Sequence, residues 1–368
     1  MEDKMRFTCN KKDLSQAVLN VSRAVIQKST VGALEGILLC ARGGAVTLTG
    51  YDLEFSIKTH IEAEIFSAGE IVISARLFTD MVRKLPAEKV TIEADDKNLV
   101  NITSGSASYT ILGMPSLEFP DVPTVENEDT IEIPNAVLKD MINHTLFAVS
   151  QSDSKPAHMG SLFEFKNDTA TVVSVDGFRL AIRREAIKTP VEDYFIVPSK
   201  TLKEITNLFE DDGICEINAE RKRIVFSSGN YTVFSRLIEG EFLNYEEAIP
   251  KKFSTSMVID KDDIGDCLER VSLLIADRLK YPLKINIEDD TIEVRCDTPL
   301  GKANDTISCK IEGDPIKVGL NSKYLLEALR AADCQMVRIR FNGPLSPVVI
   351  EPTDNDRFLF LVLPVRIK

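Results

Sequence analysis

The side chains best able to do chemistry in this sequence are its cysteines and histidines, and they are few and scattered. The number of cysteines is odd, no Cys-x-x-Cys occurs, and no histidine has a cysteine or a second histidine at a metal-ligand spacing. The sequence therefore predicts reduced thiols packed as small hydrophobic groups, with no metal site and no cofactor. These residues are His60, His144, His158, Cys9, Cys40, Cys215, Cys267, Cys296, Cys309 and Cys334.

The best candidate for acid–base catalysis is Asp176, which precedes Arg179 in the segment VDGFRL. An Asp-Gly pair also forms turns between strands, so a structural role for Asp176 stands beside the catalytic one. The sequence contains no nucleophile elbow, no phosphate-binding loop, no His-Glu-x-x-His and no Cys–His pair at a motif spacing. These observations argue against an enzyme.

The composition is that of a globular protein outside the membrane. The 368 residues are 44% hydrophobic and 27% charged, which is sufficient for two or three domains with their own cores. The formal net charge of −13 excludes bulk attraction to nucleic acid, so any contact with DNA must come from a locally basic surface. The first residues, MEDKMRFTCN, contain no apolar signal segment, and no apolar run approaches the length of a membrane span. We therefore expect a cytoplasmic protein with no membrane partner.

An amphipathic helix pattern occurs three times at an interval of about 125 residues. In each copy, apolar residues are spaced by four, three and four positions, with one polar exception at Thr145. This spacing places the residues on one face of a helix. The three stripes are Leu14, Val18, Val21 and Val25; Leu138, Ile142, Thr145 and Val149; and Ile264, Leu268, Val271 and Ile275.

A second helix pattern follows in each repeat, after the short apolar strands EIVIS, YFIVP and IKVGL. Three alternating strands then follow each helix, so each repeat contains two copies of a strand–helix–three-strand module. The sequence predicts an α+β fold with six modules in three domains, covering residues 1–125, 126–250 and 251–368. The second stripes are Phe78, Met81 and Leu85; Leu202, Ile205 and Phe209; and Leu325, Ala328 and Ala332.

Repeated domains of one shape meet head to tail, which builds an open array or a closed ring. The six helical segments together carry a small positive charge although the chain is strongly acidic, but the first helix of the third repeat contains Asp262, Asp263 and Asp266. If two chains closed a ring lined by their twelve helices, the opening would be roughly 25 Å across. A B-form duplex, at about 20 Å, would fit inside.

An ordered set of motifs runs along the whole chain: EFPDVP at 118–123, VDGFRLA at 175–181, VPSK at 197–200, EFLNYEEAIP at 241–250, GLNSKYLLEAL at 319–329 and LVLPVRIK at 361–368. Taken together, these motifs resemble the bacterial DNA polymerase III beta subunit family, the replicative sliding clamps. This resemblance implies a crescent of three clamp domains that closes as a ring-shaped homodimer around duplex DNA, without reading its sequence. It implies a processivity factor that tethers the replicative DNA polymerase, the clamp loader and other partners carrying a motif similar to Gln-Leu-x-Leu-Phe.

The resemblance also implies a pocket for partner peptides between the second and third domains. Phe178 stands where the family usually has His, Val175 where it has Thr, Leu243 where a Pro is common, and Lys155 where Arg is usual, so we expect a more apolar pocket. Apolar walls suit a hydrophobic peptide anchor. The pocket residues are His158, Val175, Gly177, Phe178, Arg179, Leu180, Leu243, Ala248, Asn321, Tyr324, Leu345, Leu361, Leu363, Pro364, Val365 and Arg366.

Two further surfaces are implied by the resemblance. A DNA-binding surface would contact phosphate groups, which position a duplex without specifying its sequence. A dimer interface would join the first domain of one chain to the third domain of the other, although Leu274 could instead face its own core. The DNA-binding residues are Lys28, Arg76, Ser152, Lys155, Pro156, Ala157 and Lys200, and the interface residues are Tyr109, Ile111, Leu273 and Leu274.

The main alternative among binding proteins is a monomeric scaffold that uses the peptide pocket and never closes around DNA. The sequence separates this alternative poorly from a ring, because both need the same pocket and the same domains.

Overall fold

The computed structural model describes residues 5–125, 129–189, 192–275 and 281–367, and within them it contains the six predicted modules in the predicted order. The first helix begins after Asn10, whose side chain accepts a hydrogen bond from the Lys12 N–H at 2.8 Å. The modules of the first repeat are β1 Met5–Asn10, α1 Lys11–Val21, β2 Gly36–Arg42, β3 Ala45–Tyr51 and β4 Phe55–Ser67, then β5 Gly69–Ser74, α2 Ala75–Lys84, β6 Lys89–Ala94, β7 Leu99–Ser104 and β8 Ala107–Leu112.

The second repeat has the same order of elements. Its strands alternate buried and exposed residues least in β11 and β12, because both are central strands of a sheet. Its elements are β9 Ile131–Pro134, α3 Asn135–Asn143, β10 Gly160–Lys166, β11 Thr169–Val175 and β12 Arg179–Ala186, then β13 Asp193–Pro198, α4 Ser199–Leu208, β14 Ile214–Glu220, β15 Arg223–Ser228 and β16 Tyr231–Arg236.

The third repeat follows a short helix, α5 Tyr245–Ala248, and contains one extra strand, β21 Lys310–Gly313. Its final helix begins after Asn321, whose side-chain oxygen accepts a hydrogen bond from the Lys323 N–H at 3.0 Å. Its other elements are β17 Thr255–Asp260, α6 Lys261–Ser272, β18 Leu283–Glu288, β19 Thr291–Thr298 and β20 Gly301–Ser308, then β22 Ile316–Leu320, α7 Ser322–Ala331, β23 Met336–Phe341, β24 Val348–Pro352 and β25 Phe358–Val362.

The first helix of each repeat ends three to six residues before the apolar stripe does, which corrects the sequence-based prediction. Val25 follows a 3₁₀ turn and is extended, with φ −95° and ψ 137°. Val149 and Ile275 likewise lie beyond the last residues of α3 and α6. Val149 is nevertheless buried, so the stripe records the side chains that reach the core rather than the length of the helix.

One hydrogen bond recurs in all three repeats and ties the start of the first helix to the end of the second. The first residue of α1, α3 or α6 donates from its side chain to a main-chain carbonyl at or just beyond the carboxyl end of α2, α4 or α7, where carbonyl groups lack partners within the helix. These bonds join Lys261 to Ala332 at 2.7 Å, Asn135 to Glu210 at 2.8 Å, and Lys11 to Leu85.

The chain divides into two compact units, one of Met1–Ala136 with Lys203–Leu237 and the other of Val137–Leu202 with Ile238–Lys368. The first unit contains a twelve-stranded sheet whose main order is β8-β7-β6-β1-β4-β16-β15-β14-β9. The second contains a nine-stranded sheet, β13-β10-β11-β12-β25-β24-β23-β17-β21, and a four-stranded sheet, β20-β19-β18-β22. Strands β8 and β20 therefore end their sheets.

Most of the cysteine side chains are buried, as small hydrophobic groups are expected to be. All seven carry free thiols, and Cys9, Cys215, Cys267 and Cys296 are buried. Within the part of the chain that the structure describes, no helix is both long and apolar enough to cross a lipid bilayer.

Candidate functional site

The candidate peptide site is built around the tight turn between β11 and β12. The main-chain N–H groups of Phe178 and Arg179 both donate to Asp176 Oδ1, at 2.9 and 3.0 Å respectively. Gly177 has a φ of +89°, a backbone conformation that favours glycine. The turn-forming role of Asp176 is thereby confirmed, because its carboxylate accepts the hydrogen bonds that hold the turn.

Arg179 joins this turn to the helix α7. Its side chain is buried and forms ion pairs with Asp176, at 2.9 Å from Nε to Oδ2, and with Glu327. Its guanidinium carbon also lies 4.5 Å from the ring centre of Tyr324 and 5.4 Å from that of Phe147. Because charged and aromatic groups hold it from several sides, Arg179 fixes the turn against the helix.

Phe178 and Tyr324 form the exposed aromatic part of the site. Their ring centres are 6.2 Å apart and their planes are nearly parallel, at 24°. Phe178 is 58% exposed and Tyr324 is half-buried. Burial raises the pKa of the Tyr324 hydroxyl, and the carboxylate of Asp176 raises it further, so the ring stays neutral. The pair therefore presents an uncharged aromatic face to solvent.

Three predicted pocket residues lie beneath this face as buried core. Val175, Leu180 and Leu361 belong to one hydrophobic cluster, in which Leu180 pairs with Leu361 across β12 and β25. The cluster includes Ala157 and Tyr245, and the Tyr245 hydroxyl donates to Glu164 at 2.8 Å. These residues make a rigid apolar floor rather than an exposed wall.

The C-terminal segment after β25 runs beside the turn and forms a second side of the site. The Leu363 N–H donates to the Phe178 carbonyl at 2.8 Å, and the Val365 N–H donates to the Gly319 carbonyl at 2.8 Å. A Cβ on Gly319 would lie 2.4 Å from the Val365 oxygen, so only glycine allows this approach. Leu363 and Val365 are 37% and 39% exposed, which leaves apolar surface facing outward.

His158 contributes a neutral aromatic ring rather than a charge. Burial lowers its pKa, and the positive charge of Lys155 lowers it further, whereas Asp176 acts in the opposite direction. Its ring centre lies 5.8 Å from that of Phe242. A neutral His158 is in keeping with the apolar pocket that the sequence predicts.

The remaining predicted pocket residues lie on segments around this centre. Leu243 and Leu345 are 42% and 65% exposed, whereas Ala248, at the end of α5, and Pro364 are half-buried. Asn321 uses its side-chain oxygen to cap α7. Arg366 is exposed and lines a neighbouring cleft together with Leu345 and Val365. Every predicted pocket residue thus lies in the second compact unit.

The predicted DNA-binding residues are at the surface with one exception. Ala157 is only 8% exposed and packs into the buried cluster below the peptide site, so its side chain is not placed to contact phosphate. The sequence could not reveal this, because an alanine after a proline suits a loop as well as a core. The exposed residues of this set are Lys28, Arg76, Ser152, Lys155, Pro156 and Lys200.

The predicted interface residues lie at or near the two sheet ends named above. Tyr109 and Ile111 are half-buried on β8, as predicted for an edge strand. Leu273 and Leu274 follow α6 instead of lying on it, because that helix ends at Ser272. Leu273 is 83% exposed, and Leu274 is half-buried near Gly301, the first residue of β20.

One cluster of groups has the composition of a metal site. Ligand atoms of Asp140, His144 and Asp333 lie within 4.8 Å of one another. However, the buried Arg183 bonds Asp140 at 2.5 Å and lies 3.4 Å from Asp333, which Arg357 also contacts at 2.6 Å. Because Arg183 and Arg357 already pair with these carboxylates and with Glu185, the cluster is an ion-pair network.

Sequence profiles match the chain in three consecutive pieces. Residues 5–123 match the N-terminal domain of the DNA polymerase III beta subunit, residues 132–244 its central domain and residues 246–366 its C-terminal domain. The fold and the site therefore define a protein of three clamp domains.

Individual relatives agree over the full length. The beta sliding clamp of Halalkalibacterium halodurans is 31% identical over 98% of this chain and 100% of its own. The solved DNA polymerase sliding clamp of Bacillus subtilis has a TM-score of 0.96 and 29% identity, covering 99% and 100% of the two chains. That of Pseudomonas aeruginosa bound to griselimycin has a TM-score of 0.93 and 26% identity, covering 99% and 100%. The chain belongs to the bacterial DNA polymerase III beta subunit family, the beta sliding clamps.

Sequence reasoning missed several residues that shape the site. Glu327 lies three residues after the predicted Tyr324 on α7 and thus shares its face, which was a usable signal. Gly319 belongs to the motif at 319–329, but its need to be glycine comes from contact with Val365, about 45 residues later in the chain. Phe147 gave no signal, because its contact with Arg179 depends on tertiary packing alone.

Proposed function

We propose that this chain is a DNA polymerase processivity factor that closes as a ring-shaped homodimer around duplex DNA. Its role is to tether the replicative polymerase, the clamp loader and other motif-carrying partners, without catalysing a reaction. The domains would cover residues 1–125, 126–250 and 251–368, and the protein would act in the cytoplasm.

The observation that best supports tethering is the partly exposed apolar face made by Phe178, Tyr324, Leu363 and Val365 over a buried floor. Aromatic and aliphatic groups held rigidly at a surface are typical of sites that bind a hydrophobic peptide anchor. The peptide would fill the space over this face.

Ring closure is supported by the two strands that end their sheets. β8 and β20 each present one edge with no neighbouring strand among the described residues. Exposed edges of this kind pair readily with another strand. Pairing of β8 from one chain with β20 from the other, with Ile111 and Leu273 beside the seam, would join two chains head to tail twice and so close the ring.

Sedimentation at micromolar concentration tests the ring. We expect a species of twice the 40.9 kDa chain mass. A strict monomer under all conditions would favour the scaffold alternative and overturn the ring.

Encirclement is tested with protein loaded by a bacterial clamp loader onto a nicked circular plasmid. We expect retention in high salt that is lost when the plasmid is cut, because a ring leaves a linear molecule by sliding off its ends. Equal, salt-sensitive loss from circular and linear DNA would indicate ordinary electrostatic binding instead.

A further inference from the structure

The first and second repeats meet at a turn built like the turn of the peptide site. This turn joins β3 to β4 and lies 124 residues before the turn at Asp176. Asp52 Oδ1 accepts the main-chain N–H groups of Glu54 and Phe55, at 3.0 and 2.6 Å respectively. Leu53 has a φ of +74°, in the left-handed region that the turn of the peptide site also uses. Because leucine rarely adopts this conformation, the surrounding structure must hold the turn in its shape.

The strand beside this turn is also placed as in the peptide site. β16 pairs with β4 in the same way that β25 pairs with β12. The Arg236 N–H donates to the Glu54 carbonyl at 2.8 Å. In the peptide site, the Leu363 N–H donates to the Phe178 carbonyl at the same distance. The first compact unit therefore contains a second copy of this turn and its neighbouring strand, which we call the first junction (residues 51–55, 221–223 and 234–237).

The side chains of the first junction are charged where those of the peptide site are apolar. Glu54 and Arg236 are 67% and 58% exposed, and they form an ion pair at 3.2 Å from Nη1 to Oε1. Arg221 lies in the loop before β15, just as Leu345 lies in the loop before β24, 124 residues later. The N–H of the residue after Arg236 donates to the carbonyl of the residue after Arg221, at 2.9 Å, so this loop lies beside β16. The charged residues Glu54, Arg221 and Arg236 thus stand at the positions of Phe178, Leu345 and Leu363.

The uncompensated charge at the first junction is positive. Glu54 pairs with Arg236, whereas no acid among the described residues pairs with the exposed Arg221 or Arg223. Arg223 lies opposite Arg236 in the ladder between β15 and β16. Burial raises the pKa of the Tyr51 hydroxyl, and Arg236 and, more weakly, Arg223 act against it, so both guanidinium groups lie near that hydroxyl. Two arginines are thus available to a ligand on a chain with a net charge of −13.

The floor of the first junction is filled by aromatic side chains. The rings of Tyr51 and Phe234 meet edge to face with their centres 6.2 Å apart, and the two residues are only 4% and 2% exposed. They stand at the positions of Val175 and Leu361 in the floor of the peptide site. Charged walls over a filled floor disfavour a hydrophobic anchor, because burying a charge without a partner is costly. A ligand of this junction must therefore bind through polar contacts at the surface.

We propose that the first junction is a second binding site, which takes an extended acidic segment of a partner protein. Carboxylates of this segment pair with Arg221 and Arg223, since a guanidinium binds a carboxylate through two parallel hydrogen bonds. A DNA duplex is the poorer ligand, because its regularly spaced phosphates would also meet the exposed carboxylate of Glu54, whereas a peptide can place a neutral residue there. The site is separate from the peptide site and depends neither on an apolar anchor nor on ring closure.

Fluorescence anisotropy with the full-length protein tests this proposal. The probes are a labelled Gly-Asp-Glu-Gly-Asp-Glu-Gly peptide, the same peptide with Asn and Gln in place of the acids, and a short mixed-sequence duplex. One variant combines Arg221→Glu with Arg223→Glu, and a milder one combines Arg221→Gln with Arg223→Gln. The matched control combines Lys166→Glu with Lys310→Glu, which changes the net charge as much as the first variant does, at exposed positions of the second compact unit. Melting temperatures establish that each variant is folded.

We expect the acidic peptide to bind the unmodified protein at least about tenfold more tightly than its neutral counterpart does. Both arginine variants should lose at least about tenfold in affinity for the acidic peptide, and the lysine control less than about twofold, because physiological salt screens distant charges. No binding of the acidic peptide, or an equal loss in the arginine and lysine variants, would overturn the site. Tighter binding of the duplex through the same arginines would also overturn it, in favour of a nucleic-acid surface.

Discussion

Gly319 accepts a 2.8 Å hydrogen bond from Val365, and a Cβ at position 319 would lie 2.4 Å from the oxygen of the same valine. The C-terminal segment therefore lies against β22 only because residue 319 has no side chain. One wall of the peptide site thus depends on a residue that contributes no side-chain atoms to it.

Replacing Gly319 with valine should displace this segment and weaken peptide binding by at least about tenfold. The affinity for a Gln-Leu-Asp-Leu-Phe peptide measures the effect. Gly265→Ala is the matched control, because a Cβ there meets open space and alanine favours the helix α6 by up to about 1 kcal/mol. Unchanged peptide affinity in Gly319→Val would contradict this account of the wall.

Removal of the chain from Leu363 onward should abolish peptide binding and leave dimerisation intact. The deleted residues supply Leu363 and Val365 to the site but lie outside the strands β8 and β20. Peptide titration and sedimentation of the same sample separate the two effects. Peptide affinity equal to that of the full chain would refute the assignment of the pocket.

Ile111→Asp should raise the dimer dissociation constant by at least about tenfold, because it places a charge at the proposed seam beside β8. Sedimentation over a range of concentrations measures the shift. Leu117→Asp provides the comparison, since Leu117 is 97% exposed in the turn after β8 and the same charge should be harmless there. A dimer as tight as the unmodified one would exclude β8 from the interface.

Asp140→Asn should lower thermal stability at pH 7, and the difference should disappear in acid. Burial raises the pKa of Asp140, but hydrogen bonds and charges from His144 and Arg183 outweigh it and hold that pKa below its ordinary value of 3.8. A carboxyl with a lowered folded pKa stabilises the fold above its unfolded pKa, and that contribution is lost as the pH falls through the folded pKa. Since the Asp140 side chain is 36% exposed, we expect at most about 1 kcal/mol.

Melting temperatures of both proteins between pH 7 and the acid range test this prediction, with the exposed Asp153→Asn as a comparison. A stability difference that stays constant down to the lowest pH would contradict the role of the Asp140 charge.

The native thiols should react slowly with Ellman's reagent at pH 8. Burial raises the pKa of every cysteine, to about 12 for Cys9 and Cys267 and about 11 for Cys309, so little thiolate is present. Seven thiols should react after denaturation, at a rate at least about tenfold higher. Rapid reaction of the native protein would show that a thiol is more accessible than the structure indicates.

The sequence predicted the order of elements well because each module repeats one pattern of apolar residues. It failed at the helix ends, where Val25 and Ile275 remain in the spacing although the chain has left the helix. Spacing records which side chains reach a core, and a 3₁₀ turn or an extended residue can satisfy the same spacing.

The site was predicted by resemblance more than by physical reasoning. The motif around Asp176 indicated a turn, but nothing local placed Arg179 between Glu327 and two aromatic rings. Those contacts join segments far apart in the chain, and their geometry follows from the sheets that carry them. For the same reason, Ala157 was assigned to a surface although it packs into a core.

Before it meets its partner, a newly synthesised chain has two sheet edges, at β8 and β20, that can pair with another strand. Leu112, at the end of β8, is 75% exposed and adds apolar surface to one of them. Until both edges are covered, any extended polypeptide can pair with them, and we expect the chain to aggregate when it is overproduced. Assembly would then protect solubility as well as enclose a duplex.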